Sequence, residues 1–137
     1  MLKYVSLVVG VLFFGLVYTA GAQQPPASTQ QTATIKRTVL NKVEVPGAAY
    51  DVIYALVEIP ANTTVGRHTH PGTLFAYLLE GDYTLVLDGQ PWKTYKSGEG
   101  FRIEPLVIHD EKTGGAGAKL LAVFTVERGK PLSSPAK

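Results

Sequence analysis

The chain has 137 residues, a length that fits one domain, with a formal net charge of +2 and no cysteine. The missing cysteine excludes disulfides, thiolate metal sites, iron–sulfur clusters and cysteine nucleophiles. The lysines and arginines are scattered, so no basic surface points to nucleic acid or to an anionic membrane.

The N-terminus predicts a route. Met1-Leu2-Lys3 carries one positive charge, Tyr4 to Tyr18 is almost wholly apolar, and Thr19-Ala20-Gly21-Ala22 places small residues ahead of Gln23. These are the three regions of a secretory signal peptide. The apolar length would also suit an uncleaved anchor. The small-residue site favours cleavage after Ala22, which removes Lys3 and leaves a charge of +1. Residues 1–22 are therefore expected to be a signal, the product to be periplasmic or secreted, and no membrane contact to remain after cleavage. Residues 23–35, rich in Gln, Pro, Ser and Thr, have little to bury and read as a flexible spacer.

From there the chain alternates apolar and polar residues in short runs. Val39 to Val45, Tyr50 to Ile59, Val65 to His70, Leu74 to Leu79, Tyr83 to Leu87, Trp92 to Tyr95, Phe101 to Ile103, Val107 to His109 and Leu120 to Glu127 all read as strands. Pro46-Gly47, Pro60-Ala61-Asn62, Pro71-Gly72 and Glu80-Gly81-Asp82 separate them. Asp88-Gly89 between two runs predicts a hairpin, and Thr113 to Ala118 reads as a glycine-rich turn. No apolar stripe of helical period follows residue 22. Eight or nine short strands predict an all-β sandwich or barrel over residues 36–130, with residues 131–137 as a flexible tail.

Two of the three histidines lie in Gly66-Arg67-His68-Thr69-His70-Pro71-Gly72. In a strand, alternate side chains share a face, so His68 and His70 project together with Cα atoms about 6.6 Å apart. Two imidazoles so placed can converge on one metal at about 2.0–2.1 Å. His109 is the third.

These residues carry a resemblance to the cupin superfamily. Its first motif, G-x5-H-x-H-x3–4-E-x6-G, is similar to His68-Thr69-His70, Leu74 and Gly81, with Leu74 in the glutamate position. Its second, G-x5-P-x-G-x2-H-x3-N, resembles Gly98 to His109, with Glu104 and Pro105 over the turn prolines and Leu106 on the glycine. No clear asparagine stands near Thr113. The resemblance implies a single-domain jelly-roll barrel, a double-stranded β-helix, around one mononuclear centre. It maps the metal ligands onto His68, His70 and His109, holding one divalent transition metal among Fe, Mn, Ni, Zn and Cu. It also implies a small-molecule substrate or ligand, and pairing of two copies through their sheets.

Leu74 cannot coordinate, so the expected site has three histidines. Glu104 could reach in only from a turn. Asp110 and Glu111 are expected at most to orient an imidazole, Asp110 less so because it points away from His109. Arg67 and Arg102 are expected on the surface, with a possible role in holding a substrate carboxylate. Tyr54, Phe75, Tyr77 and Tyr83 are expected chiefly as core, although alternation from Leu74 sends Ala76 and Leu78 inward and Phe75 and Tyr77 outward. No separate nucleophile or acid–base pair is visible, so chemistry would rest on the metal. The function expected is a metal-dependent dioxygenase or related oxidoreductase acting on a small organic molecule. A non-catalytic module that binds metal or a small ligand is the alternative.

Overall fold

Two long antiparallel strands run the length of the barrel wall. A computed structural model describes residues 34–137, so the expected signal and nearly all of the spacer lie outside the described residues. The described residues form β1 (Lys36–Glu44), β2 (Tyr50–Ile59), β3 (His68–Thr69), β4 (Leu74–Leu87), β5 (Lys93–Lys96), β6 (Gly100–Ile103), β7 (His109–Glu127) and β8 (Ser134–Pro135), with no helix among them. Strands β4 and β7 pair along almost their whole lengths. On its far side β4 carries β6 and then β5. On its far side β7 carries β2 over its second half and β3 at its start. The curled antiparallel sheet is a jelly roll, as expected.

Period-two patterning decides which face is which. Leu74, Ala76, Leu78, Tyr83 and Leu85 of β4 are buried, as are Leu120, Ala122, Phe124 and Val126 of β7 and Ala55, Val57 and Ile59 of β2. Leu78 and Ile103 are fully enclosed. Each such side chain contributes about 1.5–3 kcal/mol on leaving water. Phe75 (49 % exposed) and Tyr77 (48 % exposed) point out, as alternation requires, and Tyr54 joins them on the outer surface. Of the four aromatics expected as core, only Tyr83 is buried.

Two segments expected to be turns continue the long strands instead. Glu80-Gly81-Asp82 does not end β4, and 113–118 does not end β7; register shifts between Leu78 and Glu80 and between Gly81 and Tyr83 mark bulges there. Glycine makes this possible. Gly81 and Gly117 have φ of 82° and 71°, and a Cβ on Gly81 would stand 2.0 Å from the Gly117 carbonyl oxygen. The glycines bend the strands at the barrel corner rather than stopping them. The Asp88-Gly89 hairpin forms as expected, with Leu85 opposite Lys93.

Residues 131–137, expected as a flexible tail, carry β8. It pairs with β3, placing Pro135 opposite His68 and Ser134 opposite Thr69, and the Ala136 amide donates to the Arg67 carbonyl. The two-residue strand β3 is thus held between β7 and β8.

Candidate metal centre

The fold brings the distant histidine to the pair. His68 and His109 are direct cross-strand partners on β3 and β7. The ring centroids of His68, His70 and His109 lie 4.2–4.9 Å apart, and all three side chains are buried. The loop feeding β3 is pinned from β7, because the Gly66 amide donates to the Asp110 carboxylate at 2.8 Å. The far side is pinned by the Leu106 amide, which donates to the His70 carbonyl.

Each ring is fixed in one tautomer. Nδ1 of His68 donates to the Gly66 carbonyl (2.8 Å), Nδ1 of His70 to the Leu132 carbonyl (2.7 Å) and Nδ1 of His109 to the Val107 carbonyl (2.8 Å). A carbonyl can only accept, so Nδ1 carries the proton and Nε2 offers its lone pair. These three Nε2 atoms are the ones that converge. Nε2 of His70 and of His109 are buried without any hydrogen-bond partner. An orphaned buried acceptor costs about 1–3 kcal/mol, a cost that a bound cation removes.

A fourth donor completes the group. Glu111 follows His109 by two positions on β7, so it faces the same way, and its side chain is buried. Its Oε1 lies 3.7 Å from Nε2 of His68 and 3.6 Å from Nε2 of His109. One donor atom from each of His68, His70, His109 and Glu111 lies within 4.8 Å of all the others. Ligands on neighbouring vertices of one ion at about 2.1 Å stand roughly 3.0–3.4 Å apart, so a small inward movement seats the ion. Imidazole with one carboxylate suits divalent iron, manganese, nickel, copper or zinc. The structure brings the three expected histidines together and places Glu111, expected only as an outer acceptor, among them.

Burial sets the charge states. Desolvation holds His70 and His109 down to about 4, so both rings are neutral and available as ligands near pH 7. His109 therefore makes no ion pair with Glu111. Burial also raises the Glu111 carboxyl, against the pull of His68 and the neighbouring Tyr83 hydroxyl. The Tyr83 phenol is pushed well above its ordinary range by burial and by the Glu111 charge. A divalent cation would stabilise the Glu111 carboxylate and leave one net positive charge.

The remaining expected residues fall elsewhere. Leu74 is buried and lines the same cavity, contributing apolar surface where a ligand was missing. Glu104 is exposed and pairs with Arg102 at 2.6 Å, outside the site. Arg67 pairs with Asp88 at 3.2 Å. Asp110 holds the backbone rather than an imidazole. The cavity beside the histidines has a volume of about 30 Å³, and its walls include Leu74, Ala76, Tyr83, Phe101, Leu120 and Phe124. Arg37 at its rim has no local signature in the sequence, because one arginine in an exposed strand carries no signal of a site.

Comparison with known families decides the lineage. A family described as a cupin domain matches residues 55–124, half of the chain. The chain belongs to the cupin family. No match to a curated protein sequence was found. Among solved structures, this cupin is similar to the DMSP lyase DddQ from Ruegeria pomeroyi (14 % identity, TM-score 0.65), covering 88 % of this chain and 59 % of the lyase. It is similar to a cupin superfamily protein from Desulfitobacterium hafniense (15 % identity, TM-score 0.57, 68 % and 78 % covered). It is also similar to KdgF from Halomonas (16 % identity, TM-score 0.56, 74 % and 87 % covered). At such identities the likeness speaks to the fold alone.

Proposed function

We propose that the protein is an exported, metal-dependent cupin that acts on a small organic molecule, with dioxygenase or related oxidoreductase chemistry. One observation carries the reading: two buried imidazole nitrogens, on His70 and His109, have no partner, and they point at His68 and Glu111. Residues His68, His70, His109 and Glu111 would hold the ion. When bound, such a metal supplies Lewis-acid chemistry and, for iron, manganese or copper, redox chemistry.

The chain's own groups prepare the site. The backbone carbonyls of Gly66, Val107 and Leu132 hold the three rings in the ligating tautomer. Glu111 supplies one negative charge, so the centre is less electrophilic than a site of three neutral ligands. Tyr83 keeps its proton at every working pH and serves as a hydrogen-bond donor at the cavity wall. Leu74, Leu120 and Phe124 exclude water from the rest of the cavity.

The test is metal content followed by turnover. The purified protein reconstituted with each metal should hold one equivalent, and the iron or manganese form should consume dioxygen with some member of a panel of phenolic and small acidic substrates. Stoichiometric metal with no turnover by any form would favour the non-catalytic binding module, which the small size of the inner cavity also suits. Export predicts a mature N-terminus at Gln23, read by mass spectrometry of protein recovered from the producing cell.

A further inference from the structure

Two cavities meet at the candidate metal centre. The inner one is walled by apolar side chains and two of the histidines. The outer one is larger, about 430 Å³, and is lined by Ile35, Arg37, Val65, Gly66, Arg67, His68, Ser133 and Pro135. Ile35, Arg37, Val65 and His68 belong to both. His68 therefore stands at the threshold, with His70 and Glu111 on the inner side. The outer volume lies in the range that accepts small ligands, whereas the inner one holds an ion and a few atoms.

The charges in this vestibule are unequal. Arg67 is neutralised by Asp88 at 3.2 Å. Arg37, among the described residues, makes no ion pair. Residues 1–33 contain no aspartate or glutamate to supply one. Its placement follows from β1. Arg37 lies opposite Val57, whose side chain faces the barrel interior, so the guanidinium is on the inner face of an edge strand rather than the outer. It shares the lining of the inner cavity with His70, Tyr83 and Glu111. An unpaired guanidinium at the mouth of an apolar cavity offers a planar fork of donors to an anion.

We infer that Arg37 is the substrate-anchoring residue and that the substrate is a small aliphatic carboxylic acid. Its carboxylate pairs with Arg37 in the vestibule, and its alkyl body lies against Ile35 and Val65 with its other end toward His68. One free guanidinium matches one monoanionic group. A phosphate dianion would call for a second free cation, and Arg67 is already committed to Asp88. The inference rests on the proposed metal centre for the position of the reacting end, but the binding of the acid does not need the metal.

The test uses propionate, propionamide and inorganic phosphate as probes on the protein and on Arg37→Gln and Arg67→Gln variants. Binding is followed by the visible spectrum of the cobalt(II)-loaded protein, and in the metal-free protein by the methyl resonances of Ile35 and Val65. Propionate should bind saturably in both forms, shifting both methyl sets, with propionamide and phosphate weaker. Arg37→Gln should weaken propionate by about tenfold or more, the value of a charge-assisted pair, and Arg67→Gln by much less. Equal propionate affinity in Arg37→Gln, or phosphate binding more tightly than propionate, overturns the inference. Failure of cobalt to bind while propionate still depends on Arg37 in the metal-free protein would sink the metal reading alone.

Discussion

The Glu111 carboxylate stands 3.6 Å from Nε2 of His109, two residues away on the same strand. That spacing follows from β geometry: residues i and i+2 share a face, so the strand that delivers the third histidine also delivers an acidic donor. The family's glutamate position, on β4, is Leu74 here, and its buried side chain lines the cavity. The acidic donor thus comes from β7 rather than from its hydrogen-bonded neighbour β4. Glu111→Ala is expected to weaken metal binding by at least about 100-fold, more than the loss of an outer hydrogen-bond partner would cost. Leu74→Glu placed in the Glu111→Ala background should recover part of that loss, as read by titration against a competing chelator. No recovery would show that position 74 does not reach the ion.

The C-terminal segment acts on the same centre. Leu132 is the acceptor that fixes His70, and β8 flanks His68. Deletion of residues 131–137 is expected to lower metal affinity about 10–100-fold, the usual consequence of removing a ligand's hydrogen-bond partner. Circular dichroism should still show the β-sheet signal, since β8 contributes only two residues to the sheet. Unchanged affinity would mean that the Leu132 carbonyl is dispensable.

Strain marks the turn beneath the site. Leu106 has φ of 61° and is 68 % exposed, yet its amide holds the His70 carbonyl. A left-handed conformation costs a non-glycine residue about 1–2 kcal/mol. Leu106→Gly removes that strain against about 0.5–1 kcal/mol of added chain entropy, so a gain of roughly 0.5 kcal/mol is expected. Leu106→Val, β-branched and poorly tolerated there, should lose about 1–2 kcal/mol. Denaturant midpoints of the two variants should move in opposite directions.

The fold and three of the four donors were legible for a simple reason. Period-two alternation and the Asp88-Gly89 turn are local signals, and His68-Thr69-His70 is a local pair. The two non-glycine residues with positive φ, Asn62 and Leu106, both fall where the cupin pattern has glycine, so the family's backbone is retained without its residues. Illegible were features set by long-range approach. The Gly81–Gly117 contact turns apparent strand breaks into bulges. Glu111 is legible only as an outer acceptor until β7 runs on through Thr113, and the place of Arg37 depends on a cavity that sequence cannot display.

Acid should destabilise the metal-free protein in a defined window. His70 and His109 are held at about 4 in the folded state, against about 6.5 when exposed. Between those values the unfolded chain takes up protons that the native state refuses, so stability falls as pH drops from about 6.5 to 4. Glu111, raised by burial, has the opposite sign: the native state keeps its proton, so this group favours the fold at lower pH. Two histidines against one carboxyl give a net loss on acidification. Thermal unfolding between pH 4 and 7 should show it, and the His70→Gln, His109→Gln double variant should flatten the slope.

Three histidines and Glu111 are proposed to hold one metal ion. X-ray absorption at the cobalt edge of the cobalt-loaded protein tests it most directly, compared with Glu111→Ala. The expected result is one ion per chain, with scattering from three imidazoles and a carboxylate oxygen, and loss of that oxygen or of the metal itself in the variant. Absence of stoichiometric metal, or an identical ligand shell in Glu111→Ala, would contradict it.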